Sequence, residues 1–305
     1  MRITYILLIL FTLTGLNSCV EEGEINTDHY VINSFFSNAH PFIIETSKTA
    51  SIFDTVTYHN IKDMEGILYE DDQFLGELIF QEAHINDEYY TYIPAGYTLP
   101  GFNPKGGKTY KVEFKHDGRT ITASDIMPTK VDFTISDTLT TTNNSQDKVF
   151  RCNITFSDPK TENNYYVIYR TTSYHGPESN NKFMDGGMDM RSSDPSIEYI
   201  YNNKSIISNT WCYILSDKYF NGIEYTISLD FSQYFSLPDL LNIHLQSVSK
   251  QYYDYVSSSL EQRKNNYENF HAEATSVYNN IENGYGIFAA YNVSTHSIEL
   301  RKENE

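Results

Sequence analysis

The chain has 305 residues and carries 22 Lys and Arg against 40 Asp and Glu, a formal net charge of −18. Nucleic-acid phosphates and anionic lipid surfaces repel so acidic a protein, which excludes DNA and RNA as partners. Hydrophobic residues form 40% of the chain and aromatic residues 15%, which is enough apolar surface for about two folded domains rather than a disordered acidic tail.

The first 18 residues have the pattern of a lipoprotein signal peptide. Basic Arg2 precedes an apolar run at 6–11, and a lipobox at 16–19 ends in Cys19. A membrane-spanning helix needs about 20 apolar residues, so this shorter run targets the protein and does not span. The sequence therefore predicts removal of the leader, lipidation of Cys19 by acyl chains such as palmitate, and attachment to a membrane through this lipid. A short acidic tether follows at 19–27.

The segment 28–130 is rich in strand patterns. Its apolar stretches are short, β-branched and aromatic, with no helical period between them. Asp71-Asp72-Gln73 and Asp117-Gly118 each separate two such stretches, and residues of these types are typical of hairpin turns. The pattern predicts an immunoglobulin-like β-sandwich over 28–130.

The remaining residues, 131–305, predict a β-rich C-terminal domain with one helix. Several stretches alternate apolar and polar residues with a period of two, as half-buried strands do. A helical period appears at about 249–267, where four side chains fall on one face: Tyr252, Val256, Leu260 and Arg263. We expect an amphipathic helix that lies against the second sheet.

Residues 173–196 lack periodicity, which is typical of a mobile surface loop, a disordered segment or a binding loop. Thioether and carboxylate groups cluster there, and they suit Cu(I) and Ca²⁺ respectively, but neither ligand set is complete. We expect a glycine-rich loop whose methionines touch the sheet, without a metal or other cofactor. The cluster comprises His175, Met184, Asp185, Met188, Asp189 and Met190.

Two cysteines remain in the body of the protein, Cys152 and Cys212. Outside the cytoplasm they could form a disulfide. Each also lies in an apolar pattern that fits a buried thiol packed as a small hydrophobic side chain. The Cα separation that a disulfide needs is not visible in a sequence, so both alternatives stay open.

Further motifs follow the lipobox in a fixed order. They occupy residues 107–110, 121–123, 156–159, 215–222, 248–255 and 279–288. Together with the lipobox they span nearly the whole mature chain, and they resemble a family of outer-membrane lipoproteins from Bacteroidetes, the domain of unknown function 4249 (DUF4249). Members are often encoded beside TonB-dependent outer-membrane receptors. The resemblance therefore implies an accessory to nutrient uptake, and it implies no catalytic residue.

Glu21 and Glu22 follow Cys19 almost directly. Acidic residues at this position resemble the signal that exports lipoproteins to the cell surface in such bacteria, and they also fit a generic solvated tether. The resemblance thus implies a protein of the outer membrane that is exposed at the cell surface.

The sequence contains no zinc helix of the His-Glu-x-x-His type, no nucleophile elbow and no phosphate-binding glycine loop. The nine histidines are scattered without the spacing of metal ligands. Carboxylates are paired at Asp71-Asp72 and Asp87-Glu88, where solvent-facing turns are a better explanation than a glycosidase site.

We expect a non-catalytic binding protein that serves a TonB-dependent receptor. An adhesion or surface-structural protein is the alternative, and a glycan- or peptide-hydrolysing enzyme ranks below both.

Overall fold

The structure, a computed structural model, describes nine stretches of the chain: 29–50, 59–86, 91–141, 148–160, 163–173, 188–203, 210–233, 238–268 and 276–300. The leader, Cys19, Glu21 and Glu22 lie outside these stretches, so their predicted roles stay predictions. Over the described residues the chain is mainly β with one long helix, as predicted. No helix in these stretches is long and apolar enough to cross a membrane.

The first half of the chain forms short strands because its β-branched and aromatic residues alternate with polar ones. These strands are β1 (Tyr30–Phe36), β2 (Glu45–Lys48), β3 (Glu65–Glu70), β4 (Gln73–Gln81), β5 (His84–Asn86), β6 (Thr91–Ile93), β7 (Gly96–Thr98), β8 (Thr109–His116) and β9 (Arg119–Ile126). Both predicted hairpins are present. Asp71, Asp72, Asp117 and Gly118 all have positive φ, which is what type I′ turns require at both central positions.

The second half contains further strands, a short 3-10 helix and the long helix. They are β10 (Phe133–Thr141), β11 (Lys148–Ser157), β12 (Tyr165–Ser173), β13 (Met188–Arg191), β14 (Ile197–Asn203), β15 (Thr210–Ser216), the 3-10 helix (Asp217–Tyr219), β16 (Glu224–Gln233), β17 (Leu240–Val248), α1 (Lys250–Glu268) and β18 (Gly284–Glu299). Helix α1 confirms the predicted helix. Ser249 caps its start, since the Ser249 Oγ accepts a hydrogen bond from the Tyr252 backbone N–H at 3.1 Å.

These strands form four sheets. The largest has seven strands in the order β14-β15-β12-β17-β18-β1-β2, so it takes strands from both halves of the chain. A five-stranded sheet has the order β7-β4-β3-β8-β9, and a four-stranded sheet has the order β10-β11-β16-β13. Strands β5 and β6 form a separate two-stranded sheet.

Strand β18 joins the two parts of the seven-stranded sheet. Its beginning, from Gly284 to Ala290, pairs in parallel with β1, and its end, from Tyr291 to Glu299, pairs antiparallel with β17. These two pairings lie on both sides of the predicted boundary at residue 130. A parallel pairing between residues far apart in the chain leaves no signal in the local pattern.

Two apolar cores lie on the inner face of the seven-stranded sheet. The first is enclosed by the five-stranded sheet, β1 and the beginning of β18, and it contains Phe36, Phe114 and Phe288. The second lies between the four-stranded sheet and the other strands of the seven-stranded sheet, and it contains Phe156 and Phe231. Each half is therefore a sandwich of two layers, and the two sandwiches share one sheet.

Part of the segment predicted as an aperiodic loop is a strand. β13 pairs with β16 at the edge of the four-stranded sheet, and Met188 and Met190 are buried in the second core. The expectation that methionines touch the sheet is thus confirmed for these two residues. A strand of four residues is too short for its alternation to be recognised. His175, Met184 and Asp185 lie outside the described residues.

Candidate functional site

Cys152 and Cys212 are both buried thiols, and they do not form a disulfide. Cys152 lies in the second core, on the inner side of the seven-stranded sheet. Cys212 belongs to that sheet and faces its outer side, beneath α1. The sheet separates the two sulfur atoms, so they are not placed to form a disulfide. Of the two alternatives that the sequence left open, the structure shows the second, in which each thiol packs as a small hydrophobic side chain.

Helix α1 covers part of the outer face of the seven-stranded sheet through a layer of tyrosines. Tyr252, Val256 and Leu260 face the sheet, as their helical spacing predicts, and pack in one cluster with Ile287 and Ala289 of β18. The tyrosine layer consists of Tyr165, Tyr169, Tyr199, Tyr201, Tyr252, Tyr253, Tyr255, Tyr278 and Tyr291. Tyrosine suits such a contact, since its ring packs as an apolar group while its hydroxyl keeps a hydrogen-bond partner.

The tyrosine layer is held by ring contacts and hydroxyl contacts together. The rings of Tyr165 and Tyr253 stack with centroids 4.3 Å apart, and the hydroxyl oxygens of Tyr201 and Tyr252 are 3.2 Å apart. Burial raises the pKa of Tyr201 and Tyr252, and it raises the pKa of Tyr291 to about 12. These phenols therefore keep their protons, and the layer attaches the helix to the sheet without offering a base.

Two histidines lie beside the tyrosine layer. The His244 ring stacks on Tyr169 with centroids 4.4 Å apart, and its ring nitrogens lie 2.9 Å from the hydroxyls of Thr171 and Thr295. Burial lowers the pKa of His244 to about 4 and lowers the pKa of His40 as well. His244 is therefore neutral, and both of its nitrogens are engaged in hydrogen bonds. Among the described residues no group of three or more His, Cys, Asp or Glu side chains is arranged to hold a metal ion.

Asp125 is a buried carboxylate, 6% exposed, where β9, β18 and the start of α1 meet. Its oxygens accept hydrogen bonds from the backbone N–H of Ile126 at 2.8 Å and of Ala290 at 2.7 Å, and the Ser249 hydroxyl donates to it as well. Burial raises the pKa of Asp125 to about 7, although these hydrogen bonds act to lower it. The carboxylate connects the helix cap to the strand that the two sandwiches share.

Two further buried carboxylates hold chain reversals of the second sandwich. Asp158 accepts a hydrogen bond from the Tyr166 hydroxyl at 2.6 Å and from the Gly222 backbone N–H at 2.8 Å. Asp217 accepts one from the Asn164 backbone N–H at 2.8 Å. Burial raises the pKa of Asp217, and the charge of Asp158 raises it further. Because the donors come from the protein itself, these carboxylates stabilise turns.

Three of the motif segments that carry the family resemblance lie at or beside these carboxylates. Residues 156–159 supply Asp158, residues 215–222 supply the turn that Asp158 holds, and residues 279–288 run beside Asp125. In the last segment the Asn280 side chain accepts a hydrogen bond from the Phe288 N–H at 2.9 Å and donates one to the Phe288 oxygen at 2.8 Å. The motifs thus have an architectural role in this structure.

Of the two carboxylate pairs weighed as a glycosidase site, the structure describes Asp71-Asp72. Asp71 forms an ion pair with Lys108 and accepts a hydrogen bond from the Thr109 backbone N–H at 3.0 Å. Both hydrogen bonds lower the pKa of Asp71, Lys108 more than Thr109. This aspartate is part of a solvent-facing turn, as expected. Asp87 and Glu88 lie outside the described residues.

Among the exposed apolar side chains of the described residues, two cross-strand pairs are features that the sequence did not indicate. Trp211 is 45% exposed and Ile200 is 52% exposed, and they lie diagonally across β15 and the edge strand β14. Ile85 and Tyr92 are 60% and 66% exposed, and they face each other across β5 and β6. Exposed apolar pairs of this kind are typical of contact surfaces. The one available sequence signal for a contact surface was that the chain has a single tryptophan. This residue lies within an apolar run that is typical of a buried strand.

Over the described residues these features define a class of mainly β proteins, in which two sandwiches share one sheet and one long helix packs on its outer face. The chain belongs to the DUF4249 family, described as a domain of unknown function, whose family model matches residues 19–297. A comparison with curated proteins finds no match.

Two solved structures show a weak similarity to the chain. One is titled "Complete structure of manganese lipoxygenase of Gaeumannomyces graminis and partial structure of zonadhesin of Komagataella pastoris"; the identity is 8%, the TM-score is 0.21, and the match covers 74% of this chain and 89% of that chain. The other is the collagen binding domain of the Erysipelothrix rhusiopathiae surface protein RspB, with 9% identity, a TM-score of 0.22, and 88% and 96% of the two chains covered. TM-scores this low carry no argument about fold or function.

Proposed function

We propose that this protein is a lipid-anchored protein of the outer membrane, exposed at the cell surface, that binds a TonB-dependent nutrient receptor as a non-catalytic accessory. The lipobox that ends in Cys19 supports the anchor, and Glu21 and Glu22 support export to the surface. The family match, which begins at Cys19, agrees with a mature chain that starts at this residue.

The observation that carries the binding function is the exposure of Trp211. It is the only tryptophan of the chain, and it lies beside exposed Ile200 at an edge of the seven-stranded sheet. Leaving such large apolar side chains in water costs free energy, which a partner that covers them recovers. Tryptophan is also enriched among the residues that dominate the affinity of protein interfaces. We therefore assign receptor binding to Trp211 and Ile200, which we call the tryptophan edge.

The test is co-purification of a TonB-dependent receptor with the tagged, full-length protein after mild detergent extraction. We expect the wild-type chain to retain the receptor. Trp211→Ala should weaken retention by about tenfold or more, as expected when an interface loses a central aromatic residue. Tyr219→Ala is the matched control, because Tyr219 is an aromatic residue of similar exposure, 51%, outside the tryptophan edge.

Two results would contradict the proposal. Recovery of the wild-type lipoprotein without any receptor, in several mild detergents, would argue against the partnership. Equal retention by Trp211→Ala and Tyr219→Ala would show that the tryptophan edge is not the contact surface.

A further inference from the structure

The strand register shows which groups lie at the end of the first sandwich where the tether joins it. The Tyr30 hydroxyl at the start of β1 lies 2.8 Å from Nδ1 of His116, the last residue of β8. Strand β3 pairs antiparallel with both β8 and β4, and Gly66 near its start is opposite Phe114 of β8 and Leu78 of β4. The last residues of β4 therefore lie at the same end as the last residues of β8. We call this the tether end: the end at which β1 begins and β4 and β8 finish.

The two-stranded sheet of β5 and β6 follows β4 at the tether end and precedes β7, which returns along β4. Its cross-strand pair, Ile85 and Tyr92, is the most exposed apolar pair described above. Ile79 on β4 is 52% exposed at the same end. Tyr285, 49% exposed, also lies there, with its ring edge-on to His29 at 5.0 Å. An isolated two-stranded sheet is only marginally stable in water, so an exposed apolar pair on it indicates a covering contact.

The length of the tether limits what can cover this end. Cys19 and His29 are separated by ten positions (29 − 19), and an extended chain of that length spans at most about 35 Å. A lipid on Cys19 therefore keeps the tether end within reach of the bilayer.

The tether end carries lysines, although the whole chain has a net charge of −18. Lys62 lies 2.6 Å from Glu82, and Lys48 lies 4.0 Å from Asp117. Tyrosine and lysine are side chains that are typical of the headgroup region where proteins meet a membrane.

We propose that Ile85 and Tyr92, together with Ile79, rest in the headgroup region of the phospholipid bilayer that anchors Cys19. The inference rests on the proposed lipid anchor and adds an orientation to it. The bilayer covers the tether end. The tryptophan edge lies at the opposite edge of the seven-stranded sheet, where β14 and β15 are farthest from β1 and β2. It therefore remains available to the receptor.

The test uses the full lipidated chain with Ile85→Cys, labelled with an environment-sensitive dye and reconstituted into phosphatidylcholine vesicles that contain a headgroup spin label. Cys152 and Cys212 are buried and do not compete for the dye. Ile223→Cys is the matched control, since Ile223 is 55% exposed in the second sandwich. We expect the Ile85→Cys label to lose most of its fluorescence and the Ile223→Cys label to keep it. High salt should not restore the fluorescence, because the contact is apolar.

Equal quenching of the two labels would overturn the inference, and so would quenching that salt removes. Loss of receptor co-purification by Ile85→Cys, without quenching, would place this pair on the receptor and overturn the inference as well. The mass of Cys19 is measured on the same sample. An acylated chain with an unquenched label contradicts the bilayer contact alone, whereas an unmodified Cys19 contradicts the proposed anchor and the contact with it.

Discussion

The two sandwiches differ in how far apart in the chain their paired strands lie. The second is made of strands between residues 133 and 248 and the end of β18. The first needs the beginning of β18, where Tyr30 pairs with Gly284 across 254 positions (284 − 30). Pairing of such distant residues carries a greater loop-closure cost than a hairpin does, and it is slow to form. We therefore expect the first sandwich to depend on the second being in place.

The buried carboxylates also differ in whether they connect the two sandwiches or lie within one of them. Asp125 lies at the joint between the sandwiches, where it contacts the shared strand and the helix cap. Asp158 and Asp217 lie in turns of the second sandwich, and the hydrogen bonds they accept from described residues come from that sandwich. A change at the joint should therefore affect the whole protein, whereas a change in the turns should act locally.

The largest effect is expected from Gly286→Val, which breaks the pairing of β18 with β1. Gly286 has a φ of +116°, and an added Cβ would lie 2.1 Å from the backbone oxygen of Ile32. We expect the free energy of unfolding in urea to fall by about 4 kcal/mol or more, with the first sandwich losing hydrogen-exchange protection before the second. Gly101→Val is the control, because Gly101 has a φ of +75° with open space around its Cβ, and it should lose only about 1–2 kcal/mol. Equal losses of unfolding free energy in the two variants would contradict a special role for the pairing of β18 with β1.

A smaller effect, which depends on pH, is expected from Asp125→Asn. Since the pKa of Asp125 is raised from 3.8 to about 7, the folded protein binds a proton between these values that the unfolded chain releases. The stability from this carboxyl is present in full below pH 3.8 and is lost as the pH rises towards 7. The stability of the wild type relative to Asp125→Asn should therefore fall by about 2–4 kcal/mol from pH 4 to pH 8. Parallel curves of unfolding free energy against pH would contradict the assignment.

Tyr166→Phe tests a turn of the second sandwich in isolation. It removes the hydroxyl that donates to Asp158 and leaves the buried carboxylate with one donor fewer. We expect a loss of about 1–2 kcal/mol in the free energy of unfolding, without the early loss of the first sandwich that Gly286→Val causes. Tyr219→Phe, at an exposed tyrosine, should be neutral. A neutral Tyr166→Phe would show that this hydrogen bond does not hold the turn.

The smallest effect concerns the cysteines. Because Cys152 and Cys212 are buried thiols on different sides of the shared sheet, a reductant should leave the melting temperature of the body unchanged. A thiol reagent should react with them only after unfolding. A melting temperature that falls in reductant would indicate a disulfide and contradict the structure.

Local features of the fold were predictable from the sequence, and long-range ones were not. The turns at Asp71-Asp72 and Asp117-Gly118 and helix α1 follow from residue types and periods within a few positions. The crossing of β18 into the first sandwich depends on which distant strands pair, and a local pattern does not encode that.

The contact surfaces were hidden for a related reason. Trp211 has the apolar neighbours of a core residue, and only its place near a sheet edge exposes it. Ile85 and Tyr92 likewise have the alternation of a half-buried strand, yet the sheet they form has no third strand among the described residues. Exposure at an edge depends on sheet order, which the sequence analysis could not supply.

The proposed anchor is tested most directly by the mass of the N-terminal peptide of protein extracted from its own cells. The account predicts a chain that begins at Cys19 and carries acyl chains on this residue. A retained leader, or a Cys19 with an unmodified thiol, would contradict the lipid anchor and the receptor and bilayer contacts that rest on it.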